Sequence, residues 1–261
     1  MSGSARELAQ QENLGTTGTF RTALLHTSDL RSAARFYGEV FGWQLQDGAT
    51  PSFTLRGQRV AGIRRTTAHD NLWVPYVAVD DVPASADAAV QAGGTIANSS
   101  IDPQDAARRS VIADPEGAIV GLCTPDDDQA ATLTEGAGTI WWAEVLAQTP
   151  SVLQTFYTRL FRWRFTEQPL APHPLYVVWK RGEKAVGGLL PIGEDWNTSP
   201  RWQVLFQVDD LNASVTRVLA AGGTVEFGPL DVPRAGLLTS VRDPRGALHV
   251  LVQPHLSYPP R

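Results

Sequence analysis

LLHTSDLRSAARFYGEVFGW, residues 24–43, reads as a strand, a turn, a helix and an aromatic stop, and the plan returns in VLAQTPSVLQTFYTRLFRW at residues 145–163. In the first copy Asp29 suits a helix N-cap, and Leu30, Ala33, Phe36, Tyr37, Val40 and Phe41 recur at three-and-four spacing, so one stripe faces a core. In the second, Pro150 suits the first helical position and Leu153, Phe156, Tyr157, Leu160 and Phe161 repeat that stripe. Phe36, Tyr37 and Trp43 recur 120 positions later as Phe156, Tyr157 and Trp163. An internal duplication is the first fact about this chain.

Working outward, Phe20–Thr27 is the strand that feeds the first helix. Ser52–Leu55 and Val60–Arg64 flank a Gly57-Gln58 turn, and Leu72–Val79 ends in Asp80-Asp81. Pro83 opens a helix over 84–92 that Gly93-Gly94 closes. Short strands at 95–97 and 109–113 lead to the turn Asp114-Pro115-Glu116-Gly117 and a last strand, 118–123. Beyond a polar, acidic linker at 126–138 the second unit replays the first. Val208-Asp209-Asp210, Ala221-Gly222-Gly223-Thr224 and Asp243-Pro244-Arg245-Gly246 each lie 129 positions after their counterparts. The second copy therefore carries nine more residues before Val208, which 167–174 and 193–200 accommodate as loops.

The predicted organisation is a flexible tail over 1–18, module one over 19–125, the linker, module two over 139–255 and a C-terminal tail over 256–261. Each half contains strand-helix-strand-strand-strand twice, and the fold class is α+β: tandem βαβββ modules pairing into curled sheets that enclose a cavity. In the 261 residues, 43% are hydrophobic, enough for a full core. A net charge of −5 and no Lys/Arg cluster argue against a nucleic-acid partner. No apolar run reaches membrane-spanning length and no signal core opens the chain, so a cytoplasmic location and no membrane partner are expected. Cys123, the single cysteine, excludes an internal disulfide and a thiolate metal cluster.

Taken in order, Asp29-Leu30, Phe36-Tyr37, Phe41-Gly42-Trp43, the V-D-D and A-G-G-T elements and Asp114-Pro115-Glu116-Gly117, with their second copies, resemble the vicinal oxygen chelate superfamily. Its members include glyoxalases, bleomycin-resistance proteins and extradiol dioxygenases built from paired βαβββ modules. The likeness covers roughly residues 20–254. The resemblance implies metal-ligand positions at Thr22, Val74 and Gly121 in module one and at Trp142, Gln203 and Val250 in module two. Of these only Gln203 offers a ligand atom, and one amide oxygen does not hold a divalent ion. No metal and no cofactor are therefore expected.

Strand alternation from the same register turns Thr22, Leu24, His26, Val74, Tyr76, Ala78, Ile119, Gly121 and Cys123 inward in module one. In module two it turns Trp142, Glu144, Leu146, Gln203, Leu205, Gln207, Leu248, Val250 and Val252 inward. This mainly apolar lining suits a hydrophobic, aromatic or polyketide-like small molecule. Glu144, an inward carboxylate whose pKa desolvation would raise, is the expected acid-base group, with His26 and Tyr76 next. Trp142, Gln203, Gln207, Thr22, Leu24, Val250, Trp202 and Trp196 are the expected ligand contacts, and each has a structural reading as packing or as a backbone partner. His249, out of phase with Val250, faces the helix layer or solvent. The expected function is metal-independent binding, with acid-base transformation of the ligand in secondary metabolism, by a monomer or homodimer. The alternatives are a metal-dependent glyoxalase-like lyase, isomerase or dioxygenase using Glu144, Gln203 and His26, and a non-catalytic protein that sequesters a drug.

Overall fold

A computed structural model describes residues 17–48, 50–66, 71–97, 107–170, 173–233 and 235–255. The expected tails, apart from Thr17 and Gly18, and the loop carrying His69 lie outside the described residues. Module one runs β1 (Phe20–Thr27), α1 (Leu30–Phe41), β2 (Gln44–Gln46), β3 (Ser52–Leu55), β4 (Gln58–Arg65), β5 (Leu72–Ala78), α2 (Val82–Gln91), β6 (Thr95–Ile96), β7 (Arg109–Ala113) and β8 (Ile119–Cys123). Module two repeats it as β9 (Ile140–Ala147), α3 (Pro150–Phe161), β10 (Arg164–Leu170), β11 (His173–Arg181), β12 (Lys184–Pro191), β13 (Arg201–Gln207), α4 (Leu211–Ala220), β14 (Thr224–Val232), β15 (Gly236–Arg242) and β16 (Leu248–Pro254). Each module is one eight-stranded curled sheet, ordered β2-β3-β4-β1-β5-β8-β7-β6 and β10-β11-β12-β9-β13-β16-β15-β14. Each sheet joins two βαβββ motifs through an antiparallel central pair, β1 with β5 and β9 with β13.

The helices start where short polar side chains can cap them. Asp29 accepts the Ser32 amide at 3.0 Å, while Asp81 and Asp210 accept those of Ala84 and Ala213 at 2.9 Å, satisfying N–H groups that have no partner within the helix. Thr149 makes no side-chain cap on α3. There Glu116, from the D-P-x-G turn of module one, accepts the amides of Gln148 and Thr149 at 2.7 and 2.5 Å. Its carboxylate lies where the helix dipole favours negative charge.

The helix-bearing faces of the two sheets pack on each other, which leaves the concave faces pointing apart. One shared core joins Phe36, Tyr37, Trp43 and Trp73 to Val204, Phe206 and Val218; the other joins Val77, Ala89 and Val120 to Phe156, Tyr157, Trp179 and Trp202. The repeated motifs are the seams of these cores. Tyr37 donates its hydroxyl to Asp243 at 3.1 Å and accepts the Trp73 indole N–H at 2.8 Å. By pseudo-symmetry Tyr157 donates to Asp114 at 2.7 Å and accepts from Trp202 at 2.6 Å. Each D-P-x-G aspartate also closes its own turn through backbone amides, so one carboxylate fixes a local turn and a contact between modules. Trp43 and Trp163 donate to the carbonyls of Gly138 and Gly18 at 2.9 and 2.7 Å, pinning the residues that lead into β9 and β1. Gly18 is thus anchored rather than part of a free tail.

The acidic linker differs more from expectation. Asp127, Gln129 and Ala130 are buried, and the amides of Ala131 and Thr132 bond to the carbonyls of Arg21 and Arg59. Asp127 accepts the Nε of Arg109 at 2.9 Å and pairs with its Nη2, which also reaches Asp128. Arg109 lies opposite Cys123 in the β7–β8 ladder, so its side chain shares the concave face of module one. The stretch is a plug across that face, because a buried guanidinium requires a buried partner.

His249 lies on the helix side of β16, among the rings of Phe36, Tyr37, Phe41 and Phe206. Neither ring nitrogen has a hydrogen-bond partner in the described structure. Burial pushes its pKa from 6.5 to about 4, against a smaller upward pull from the Ala247 carbonyl. The unfolded chain binds this proton first as pH falls, so the stability held above pH 6.5 is lost between about 6.5 and 4 and changes no further below that. The full loss for this group is about 3 kcal/mol. Urea unfolding across that window should show a shallower pH slope in His249→Leu than in the parent protein; equal slopes would remove His249 as the source.

Candidate functional site

The concave face of module two holds a cavity of about 590 Å³. β9 contributes Trp142, Glu144 and Leu146 and β13 contributes Arg201, Gln203 and Leu205, because alternate residues of a strand share a face. Val250 closes the floor, packed with Leu205 and Val252. The 193–200 loop supplies Asp195, Trp196, Asn197 and Thr198, and the β14–β15 hairpin supplies Phe227, Leu230 and Leu238.

Glu144 sits opposite Gln203 in the central ladder, and the two side chains meet on the cavity face. Gln203 donates through Nε2 to Glu144 Oε1 at 2.7 Å, and Tyr176 donates its hydroxyl to Oε2 at 2.7 Å. Trp142 Nε1 donates in turn to the Tyr176 oxygen at 2.9 Å. Both carboxyl oxygens are therefore held by neutral donors. Burial raises the Glu144 pKa above the ordinary carboxylate value, and the bonds from Tyr176 and Gln203 pull it partly back. Such a group exchanges a proton more readily near neutrality than an exposed glutamate does. Gly188 makes the arrangement possible: a Cβ there would overlap the Tyr176 hydroxyl and lie 3.0 Å from Trp142 Nε1.

The other expected acid-base residues do not join Glu144. His26 and Tyr76 lie on the concave face of module one, 3.2 Å apart through Nε2 and the phenol oxygen. Burial, then the Arg64 charge, lowers the His26 pKa to about 4, and burial pushes the Tyr76 phenol up. Leu24 and Tyr76 pack in a cluster with Val74, Val111 and Cys123, Thr22 is buried beside them, and the Arg109–Asp127 plug covers the face. His26, Tyr76, Thr22 and Leu24 are buried in module one and do not line the cavity that holds Glu144.

Two contacts expected in module two are corrected as well. Trp202 neighbours Gln203 and so points to the opposite face, where it is buried and bonded to Tyr157. Gln207 does not line the cavity; its backbone ties Gly138 and Thr139 to the end of β13. Trp142, Gln203, Val250 and Trp196 do line it. Residues 167–170 continue β10 and His173 begins β11, so only the 193–200 insertion is a loop throughout. Sequence reasoning missed Tyr176 and Arg201. The alternation Tyr176, Val178 along β11 was a usable signal only once that strand was placed. Among the described residues no three His, Cys, Asp or Glu side chains converge as metal ligands. Glu144 and the amide of Gln203 are two adjacent donor side chains, fewer than the three a protein ordinarily supplies to a divalent ion.

Paired curled sheets of βαβββ motifs define the class, and the comparisons agree with it. The family model for the glyoxalase-like domain matches residues 22–123. A Mycobacterium tuberculosis protein named "Putative glyoxylase CFP32" is 34% identical over 251 residues, covering 91% of this chain and 95% of its own. The chain belongs to the vicinal oxygen chelate superfamily, among its glyoxalase-like members. The anthracycline biosynthesis protein DnrV of Streptomyces peucetius is 29% identical over 259 residues, covering 90% of this chain and 93% of its own. Among solved structures, the Mn(II)-bound glyoxalase from Novosphingobium aromaticivorans superposes with a TM-score of 0.60 at 16% identity, covering 91% of this chain and 82% of its own. No described helix is long and apolar enough to cross a membrane.

Proposed function

We propose that this chain is a metal-independent member of its superfamily that binds a hydrophobic, aromatic or polyketide-like small molecule in the module-two cavity and transforms it by acid-base chemistry on Glu144. The observation that carries the reading is a buried carboxyl group, both oxygens held by neutral donors, in the wall of an otherwise largely apolar cavity. The aromatic lining of Trp141, Trp142, Trp196 and Phe227 favours a flat ligand. The anthracycline-biosynthesis relative supports a polyketide. The metal-free part of the reading rests on the donor set. Glu144 takes a proton from a ligand atom acidified by an adjacent carbonyl and returns it to another atom of the same molecule. The net result is an isomerisation or ring closure with no external oxidant or reductant. Tyr176 and Gln203 keep the carboxyl group from rotating, so the direction of transfer is fixed.

A second reading, sequestration without turnover, is favoured by the same enclosed apolar lining. Incubation with hydroxylated anthraquinone and anthracyclinone polyketides, followed by mass and chromatographic analysis of the recovered ligand, separates the two. An isomer or cyclised product supports catalysis, and unchanged ligand bound tightly supports the binder. Saturable quenching of tryptophan fluorescence should accompany either result. Trp142→Ala should weaken binding by about 1–3 kcal/mol through lost burial and stacking. An unaltered affinity in a folded Trp142→Ala protein would reduce Trp142 to packing, and no binding of any aromatic probe would end both readings.

A further inference from the structure

Arg201 lies on the cavity face of β13, two residues from Gln203. Its Nη1 bonds to the Thr198 hydroxyl and, at 3.4 Å, to the Ser199 carbonyl. Its Nε is buried with no partner in the described structure. The acid whose field reaches it, Glu226, is already gripped by Arg242 through Nε at 2.8 Å and Nη2 at 3.1 Å. Two guanidinium groups thus share Glu226, and Asp195 is the further acid on this loop side of the cavity, with no ion pair to Arg201 in the described structure. Burial and the Arg242 charge both disfavour the Arg201 cation, lowering its pKa. A desolvated cation without a carboxylate is costly and becomes favourable when a ligand brings the missing anion.

We propose that Arg201 is the specificity determinant of the cavity and anchors an anionic oxygen of the ligand, so that the substrate class is an acidic aromatic molecule. The inference rests on the aromatic-ligand reading of this cavity and adds to it. Alternate residues on a strand are separated by roughly 7 Å. The anion therefore docks about that far along β13 from Gln203, which holds Glu144. A fused-ring ligand can reach both ends, its acidic group at Arg201 and its reacting atoms at Glu144. The planar guanidinium suits an oxygen acceptor in the plane of a ring substituent.

The test measures binding by tryptophan quenching at pH 8 for two probe pairs. Anthraquinone-2-carboxylate is compared with its methyl ester, and alizarin, ionised at one phenol, with its 2-O-methyl ether. The parent protein should bind at least one anion about ten- to a hundredfold more tightly than its neutral partner, and the pair that does so tells a carboxylate from a phenolate. Arg201→Gln should bring that anion down to the affinity of its neutral partner while leaving the latter within about twofold, and Arg201→Lys should keep part of the preference. The unchanged neutral probe serves as the control for folding. Equal binding of anion and neutral probe by the parent protein, or an anion preference that survives in Arg201→Gln, overturns the role of Arg201 and leaves the aromatic reading standing. Failure of all four probes to bind overturns both.

Discussion

Glu144→Gln is expected to lower turnover by about 10²–10⁴-fold while ligand affinity changes only a few-fold. The substitution keeps the size of the side chain. Tyr176 can still donate to the remaining carbonyl oxygen, and Gln203, by turning its amide, can present its own oxygen to the new NH2. What disappears is the titration that burial raises toward the working range of an acid-base group. The measurement is kcat and KM for the product-forming polyketide, together with direct binding. A fall in kcat at constant affinity places proton transfer on Glu144. Full activity in the variant would move it elsewhere in the cavity, and a fall in affinity alone would make Glu144 a binding group.

Arg109→Ala should destabilise the protein by about 3–5 kcal/mol, since it leaves Asp127 buried without its partner. Replacing both members, Arg109→Met with Asp127→Leu, should recover most of that loss because no buried charge then remains unpaired, Asp128 being exposed. Chemical denaturation at neutral pH measures both, and the module-two cavity should bind its ligand unchanged in the double variant. A loss below about 1 kcal/mol in Arg109→Ala would mean that the acidic stretch is not locked onto module one.

How far the site was legible can be followed residue by residue. Glu144 and Gln203 were readable because both lie on central strands whose register the duplicated motifs fix, and a two-residue period then assigns their face. Trp202 shows the cost of departing from that period, since the neighbour of an inward residue faces outward. Tyr176 and Arg201 needed more than the period. Tyr176 comes from β11, which no repeated motif anchors, and Arg201 matters because of what Arg242 and Glu226 do to each other across β14 and β15.

The sequence by itself determined the duplication, the α+β class and the cap at Asp29, because these depend on local spacing and on motifs printed twice. It also marked Tyr37, Tyr157, Asp114 and Asp243 as structural landmarks without revealing that each tyrosine bonds to the aspartate of the opposite module. Only the tertiary structure decided how the acidic stretch packs and where the cavity around Glu144 lies. Composition reads the acidic stretch after Cys123 as a solvated linker, yet Arg109 faces the interior of module one, and the free energy of burying that cation draws Asp127 in to neutralise it. That pairing packs the acidic stretch against module one, while Glu144 lines the cavity of module two.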